Sequence, residues 1–168
     1  MAKSKNRISG ITVRGFKSIC TEQHLAIRPL TILAGANSSG KSSFMQPLLL
    51  LKQTLECPGD PGALLLNGDN VRFTMADQVL SHEVSKGCSG EFAVRISLAD
   101  DQTIELAFLR EQGKGFELKQ MTYRLGEETS TILPGMSHED ILGVLPAPWK
   151  PMHKEMIKGE SGSLRWVV

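Results

Sequence analysis

The stretch Gly35-Ala36-Asn37-Ser38-Ser39-Gly40-Lys41-Ser42 decides how the rest of the chain is interpreted. It fits the pattern G-x-x-x-x-G-K-[ST] at every fixed position, which is the pattern of a phosphate-binding loop, or P-loop. Glycines let the backbone turn its N–H groups towards a phosphate, and the helix that follows adds the positive end of its dipole. Lys41 is expected to reach the β- and γ-phosphates, and the Ser42 hydroxyl is placed to ligate Mg²⁺. The loop therefore predicts a site for ATP with Mg²⁺.

The segments on either side of this loop fit the strand–loop–helix context that a P-loop requires. The run Leu30-Thr31-Ile32-Leu33-Ala34 is apolar without alternation, which predicts a central strand buried on both faces. Beyond the loop, apolar residues recur at spacings of four, three and four: Phe44, Leu48, Leu51 and Leu55. This spacing predicts a helix from Lys41 to about Leu55. Pro47 lies inside it, removes one backbone hydrogen bond and should bend the helix there.

Alternating patterns elsewhere predict strands with one exposed face. Two short ones precede the loop, around residues 8–16 and 25–27, and three more cover residues 92–98, 104–108 and 116–125. A turn at residues 100–102 separates two of them, so the second half is expected to be an antiparallel meander, with a short helix over residues 138–145. The predicted fold class is α/β with α+β character. Residues 1–66 hold the strand pair, P-loop and its helix, and residues 67–168 hold the meander and a C-terminal irregular or helical segment of the same lobe.

Length and composition exclude several classes of protein. A chain of 168 residues with a net charge of +1 and 40% apolar residues is expected to fold around a single core. No apolar run approaches the roughly 20 residues of a membrane-spanning helix, and the first residues lack the apolar stretch of a signal peptide. Three widely spaced cysteines indicate neither a zinc site nor a disulfide framework, so free thiols in a cytoplasmic protein are expected.

Two stretches together carry a resemblance to a known family. These are ITVRGFKSI at residues 11–19 and LTILAGANSSGKSS at residues 30–43. They resemble the N-terminus of ATPases of the ABC/SMC superfamily, and more narrowly the prokaryotic AAA-family ATPases related to RecF and OLD proteins. The similarity extends to about residue 80 and is lost beyond it at the level of motifs.

The resemblance implies a set of nucleotide-binding residues. Within the loop and the start of the helix these are Gly35, Ala36, Asn37, Ser38, Ser39, Gly40, Lys41, Ser42 and Ser43. In such ATPases the FKS strand lies beside the nucleotide, so Lys17 and Ser18 would approach the α-phosphate or the base, with Arg14 nearby. A solvated strand face is the alternative for Arg14 and Lys17. Lys41 is the residue predicted to act in catalysis, and Ser42 is the predicted Mg²⁺ ligand.

The acidic residue that hydrolysis requires is not identified by the sequence. Asp100 and Asp101 follow an alternating strand, which favours a hairpin turn over a magnesium site. Gln78 and Gln102 could each be offered as a glutamine that touches Mg²⁺, without a context that prefers either. A signature helix with a Ser-Gly-Gly run is also not found. The four histidines are scattered without the spacing of metal ligands.

Three functions are compatible with these patterns. The first is the N-terminal ATP-binding lobe of an ABC/SMC-like ATPase head that hydrolyses ATP only with further elements. The resemblance implies head-to-head dimers or a partner subunit, and a role in DNA processing or antiphage defence. Six Lys or Arg against one acid in the first 28 residues could meet DNA phosphates, or could only keep a strand edge soluble. The others are a small self-contained P-loop kinase and a non-enzymatic ATP-binding module.

Overall fold

Six strands form one antiparallel sheet in the part of the chain that the computed structural model describes, which is residues 7–37, 39–59, 61–82, 90–111, 113 and 115–150. The strands are β1 Ile8–Arg14, β2 Gln23–Ala26, β3 Glu91–Leu98, β4 Gln102–Glu111, β5 Gly115–Leu125 and β6 Glu128–Ile132. Their order across the sheet is β2-β1-β3-β4-β5-β6. The α-helices are α1 Lys41–Leu55 and α2 His138–Val144, and a short 3₁₀ turn covers Ala76–Gln78. No helix in these ranges is long and apolar enough to cross a membrane.

The predicted antiparallel meander is confirmed by the register of its strands. Val94 of β3 lies opposite Leu106 of β4, and Leu106 lies opposite Met121 of β5. All three side chains are buried, so one face of the meander contributes a continuous apolar row to the core. The turn predicted between β3 and β4 is also present, with Asp101 at a φ of 57°. Strand β6 was not predicted, because its sequence ETSTI is polar and buries only Ile132.

The helix predicted after the P-loop is confirmed from Lys41 to Leu55, but its buried stripe differs from the one that the apolar spacing indicates. The expected stripe is only half-buried at Phe44, Leu48 and Leu51, and Leu55 is exposed. The most buried positions are instead Ser43, Pro47, Leu50 and Gln53. Polar residues can occupy this stripe because their side chains have hydrogen-bond partners. Ser43 shares a hydrogen bond with Ser18, and Gln53 bonds to the backbone of residues 65–71.

The expectation of a buried central strand over Leu30–Ala34 is wrong. The segment is in no strand, and the side chains of Leu30 and Ile32 are 78% and 77% exposed. A strand is buried only where neighbouring strands flank it, and β1 already pairs with β2 on one side and with β3 on the other. The backbone N–H of Arg28 donates to the Thr31 hydroxyl at 2.9 Å, in a turn that separates the segment from β2.

The expectation of free thiols holds for one cysteine and fails for another. Cys57 is free and half-buried. Cys20 is buried and disulfide-bonded, so a free thiol there was the wrong prediction. Cys88 lies outside the described residues. Spacing along the chain could not reveal this bond, because it depends on which segments folding brings together.

Two isoleucines test the placement of the Leu30–Ala34 segment. Because Ile32 is mostly exposed, Ile32→Ala should change the free energy of unfolding by less than about 0.5 kcal/mol. The same substitution at Ile11 of β1, which is 1% exposed, should cost about 2–5 kcal/mol. Urea unfolding followed by circular dichroism measures both. A loss above about 2 kcal/mol at Ile32 would mean that this side chain is buried in the folded chain.

A second test concerns Gln53, whose side chain fastens residues 65–71 to α1. Its amide nitrogen donates to the carbonyls of Leu65 and Val71, and its amide oxygen accepts from the N–H groups of Asn70 and Val71. Gln53→Ala leaves several of these groups unpaired, so we expect a loss of about 2–4 kcal/mol in the free energy of unfolding.

The control for this test is Gln23→Ala on the exposed face of β2, which should stay within about 0.5 kcal/mol of the parent chain. Equal effects of the two glutamine substitutions in urea unfolding would contradict a special role for Gln53.

Candidate nucleotide-binding site

The P-loop leads from the exposed Leu30–Ala34 segment into the first turn of α1. Gly40 is the residue that caps the start of this helix, and its φ of +90° is a conformation that residues with a side chain rarely adopt. A Cβ on Gly35 would lie 2.7 Å from the Ser39 hydroxyl oxygen, so the loop also closes tightly at its other end. The backbone conformation at Gly40 therefore favours glycine, whereas a side chain at Gly35 would have to displace the Ser39 hydroxyl. Ser38, one of the predicted binding residues, lies outside the described residues.

The side chain of Lys41 folds back across the loop. Its Nζ donates to the carbonyl oxygens of Gly35 at 2.8 Å and Ala36 at 2.6 Å, and lies 3.5 Å from the Ser39 hydroxyl oxygen. These contacts hold the ammonium group over the same residues whose backbone forms the predicted phosphate cradle. A fixed positive charge at this place can bind an anion that enters the loop.

The N-terminus of α1 has the features of an anion site. The first N–H groups of a helix lack the usual partner one turn back, and here that of Ser43 donates to the Gly40 carbonyl while no side chain caps the start of the helix. The first turn of α1 contains no acidic residue, so nothing in that turn opposes the positive end of the helix dipole. The Ser42 side chain is exposed, whereas that of Ser43 is buried. An oxyanion could therefore accept hydrogen bonds from this turn, with the Ser42 hydroxyl free to reach a metal ion.

The predicted FKS strand is instead the tip of a tight hairpin. β1 ends at Arg14, and Phe16 and Ile19 then exchange two backbone hydrogen bonds at 3.0 and 2.8 Å, with Lys17 and Ser18 between them. Lys17 has a φ of +48°, as the two-residue turns of hairpins require. Gly15, at a φ of +73°, lies directly against β3, because a Cβ there would clash with the carbonyl oxygen of Glu91.

The structure brings one of the three predicted residues of this region to the P-loop helix. The hydroxyl oxygens of Ser18 and Ser43 lie 3.0 Å apart and share a hydrogen bond. Lys17 places its ammonium 4.7 Å from the centre of the Phe73 ring, and partial burial lowers the pKa of this amine. Arg14 forms an ion pair with Glu91 at 3.3 Å. The contact between Ser18 and Ser43 was not predicted. Gly15, which breaks the apolar alternation, was the one signal that the strand bends there.

The residues considered for magnesium have structural contacts. Asp100 and Asp101 form the turn between β3 and β4, as predicted. The side-chain oxygen of Gln78 accepts hydrogen bonds from the backbone N–H and the hydroxyl of Thr74, at 2.8 and 3.3 Å. Gln102 begins β4 and pairs with Leu125. Across the described ranges, no three His, Cys, Asp or Glu side chains gather in a way that could hold a metal ion.

Comparisons with known proteins agree with this geometry at the level of the family. No curated protein matches the sequence significantly. Residues 30–137, more than half of the chain, match the model of the family described as "AAA domain, putative AbiEii toxin, Type IV TA system". The matched range begins at Leu30 and includes the P-loop, α1 and most of the antiparallel sheet. The chain belongs to this AAA-domain family and contains a P-loop domain of the ATPase type.

Proposed function

We propose that the chain binds Mg-ATP through its P-loop, as the nucleotide-binding part of an ABC/SMC-like ATPase head of the RecF/OLD kind. The observation that carries the proposal is the Lys41 ammonium, which two carbonyls hold within the loop that leads into the start of α1. Positive charge, the N-terminal end of a helix and a glycine-bounded turn meet at one place. This combination fits the β- and γ-phosphates of a nucleoside triphosphate.

The residues present also fit a magnesium ion bound together with the nucleotide. Mg²⁺ in phosphate-transfer sites takes oxygen ligands, of which the protein supplies only one or two and the phosphates and water supply the others. Ser42 offers an exposed hydroxyl one residue after Lys41. When bound, the ion would neutralise charge on the phosphates. The chain's own part is to position the triphosphate through the N–H groups of α1 and to hold its charge through Lys41.

We propose further that other strands of the head complete the site. The Leu30–Ala34 segment combines strand-forming side chains with high exposure, and it leads directly into the P-loop. The flank of α1 that carries Phe44 and Leu48 is only half-buried. Strands of the head that pack against these apolar surfaces would cover them, and one such strand would supply the carboxylate that hydrolysis requires. A second head or a partner subunit would meet the loop from outside, with DNA as a further partner.

The antiparallel sheet favours this head over a self-contained kinase. A small P-loop kinase alternates strands and helices after its P-loop and builds a parallel sheet. Here β3 to β6 follow one another along the chain, and each pairs antiparallel with the next. The description of the family names a toxin of a type IV toxin–antitoxin system. This supports a role in a defence system of that kind. Arg14 already forms an ion pair with Glu91, so it would add little positive charge to a surface that binds DNA.

The first test of the nucleotide site is Lys41→Ala. Loss of the ammonium removes the charge-assisted contact with the phosphates, so we expect the Kd for Mg-ATP to rise on the order of a hundredfold. Calorimetric titration measures this change. Lys52→Ala is the matched control, because Lys52 lies on the same helix in an exposed ion pair with Glu56. Its Kd should stay within about twofold of that of the parent chain. Similar affinities for all three proteins would contradict the proposed site.

The second test separates binding from turnover. If further strands supply the carboxylate, the 168-residue chain should bind Mg-ATP and release phosphate no faster than Lys41→Ala does. A coupled assay for released phosphate measures this rate. Robust steady-state hydrolysis that depends on Lys41 would overturn the need for further elements. Transfer of phosphate to a small acceptor in place of water would favour the kinase.

A further inference from the structure

The tip of the hairpin after β1 touches the P-loop helix at two points. Ser18 Oγ lies 3.0 Å from Ser43 Oγ, and a Cβ built on Gly40 would lie 2.9 Å from the same Ser18 oxygen. Gly40 and Ser43 are themselves joined, because the Ser43 N–H donates to the Gly40 carbonyl at 2.9 Å. One hydroxyl from a distant part of the chain thus packs against both ends of the helical turn that contains Lys41 and Ser42.

The hairpin that carries Ser18 is firmly attached to the core. Its two backbone hydrogen bonds between Phe16 and Ile19 are joined by a third, from the Lys17 N–H to the Val79 carbonyl at 2.9 Å. The Phe16 side chain is fully buried and packs edge-on against the rings of Phe73 and Phe92. Because its base cannot move without disturbing the core, the tip is a fixed point relative to the sheet.

The backbone at the tip is held in a conformation that its sequence does not favour. A φ of +48° is rare for lysine and persists only where the surroundings enforce it. Here the bond to Val79 and the ammonium of Lys17 over the Phe73 ring provide that enforcement. Strained backbone kept next to a binding loop is a recurrent feature of sites that must be pre-organised.

We propose that Ser18 is a positioning residue: it acts through its hydrogen bond with Ser43 and does not contact the nucleotide itself. It fixes the first turn of α1 against the sheet, so that the N–H groups and the Lys41 ammonium already face the phosphates before binding. The proposal rests on the proposed function and adds to it the contact that sets the affinity of the loop. A direct contact between Ser18 and the nucleotide is the competing explanation.

A double-mutant cycle with Mg-ATP as the ligand distinguishes the two explanations. Ser18→Ala should raise the Kd about three- to tenfold, as expected when one hydrogen bond that pre-organises a site is lost. Ser43→Ala should raise it at least as much. The double variant Ser18→Ala/Ser43→Ala should be no weaker than Ser43→Ala alone within about twofold, because Ser18 acts through Ser43. If the increases in Kd of the two single variants instead multiply in the double variant, Ser18 contributes to binding independently of Ser43, which would overturn the proposal.

Two control variants isolate the positioning role from general loss of stability. Ser9→Ala removes a similar hydrogen bond, from the Ser9 hydroxyl to the Leu98 carbonyl at 3.0 Å, at the opposite end of β1. Its Kd should stay within about twofold of that of the parent chain, whatever its melting temperature does. Ser18→Thr keeps a hydroxyl at the tip and should restore most of the affinity that Ser18→Ala loses. If Ser9→Ala loses as much affinity as Ser18→Ala, the effect comes from a general loss of stability. If Ser18→Thr does not restore the affinity, the Ser18 hydroxyl is not what positions the loop, and the proposal is overturned.

The same titrations separate failure of this proposal from failure of the proposed function. The parent chain and Lys41→Ala provide the reference pair. If the parent chain binds Mg-ATP and Lys41→Ala does not, an unchanged Kd for Ser18→Ala rejects the positioning role alone. If the parent chain does not bind Mg-ATP, the proposed function itself fails, and the positioning role fails with it.

Discussion

The packing of Phe16 constrains both the sheet and the candidate site. Its ring is fully buried, with centroids 6.3 Å from Phe73 and 5.5 Å from Phe92. Edge-to-face contacts of this kind fix orientation as well as distance. Its backbone pairs with Ile19 in the hairpin and with Leu80 after the 3₁₀ turn. The end of β1, the chain around residues 73–80 and the hairpin tip are therefore held together by one residue, and the contact with α1 follows from that arrangement.

Side-chain hydrogen bonds position α1 against the rest of the chain, because the apolar residues of this helix are not all buried. At its first turn Ser43 shares a hydrogen bond with Ser18, and three turns later Gln53 and Thr54 bind the backbone of residues 65–71. Buried polar groups of this kind stabilise a structure only when they are paired, so they select one position of the helix. The apolar spacing of the helix could predict that α1 forms, but not which face turns inward.

The sequence predicted those parts of the structure that local periodicity determines. Strands β3 to β5 and the bounds of α1 follow from alternation and from helical spacing, which short segments display by themselves. The prediction for Leu30–Ala34 failed because the burial of a strand depends on the strands beside it, which its own composition does not report. Strand β6 was not predicted because its sequence is mostly polar, and an edge strand can be polar and still pair with its neighbour.

Within the candidate site, the motif located the loop but could not show how it is held. On its helix side the loop is fixed by Gly40 and Ser43 against Ser18. On its strand side the contacts come from Lys41 itself, which binds the carbonyls of Gly35 and Ala36. An ammonium group has three N–H donors, and two of them make these short bonds. The third makes only a long contact, with Nζ 3.5 Å from the Ser39 hydroxyl oxygen, so it can turn towards a phosphate. The same lysine therefore shapes the loop and is the proposed contact for the phosphates, while the hairpin tip holds the opposite side of the loop through Ser18. Within the described residues no strand pairs with the Leu30–Ala34 segment, so the contacts of Lys41 with Gly35 and Ala36 hold the end of the loop that follows this segment.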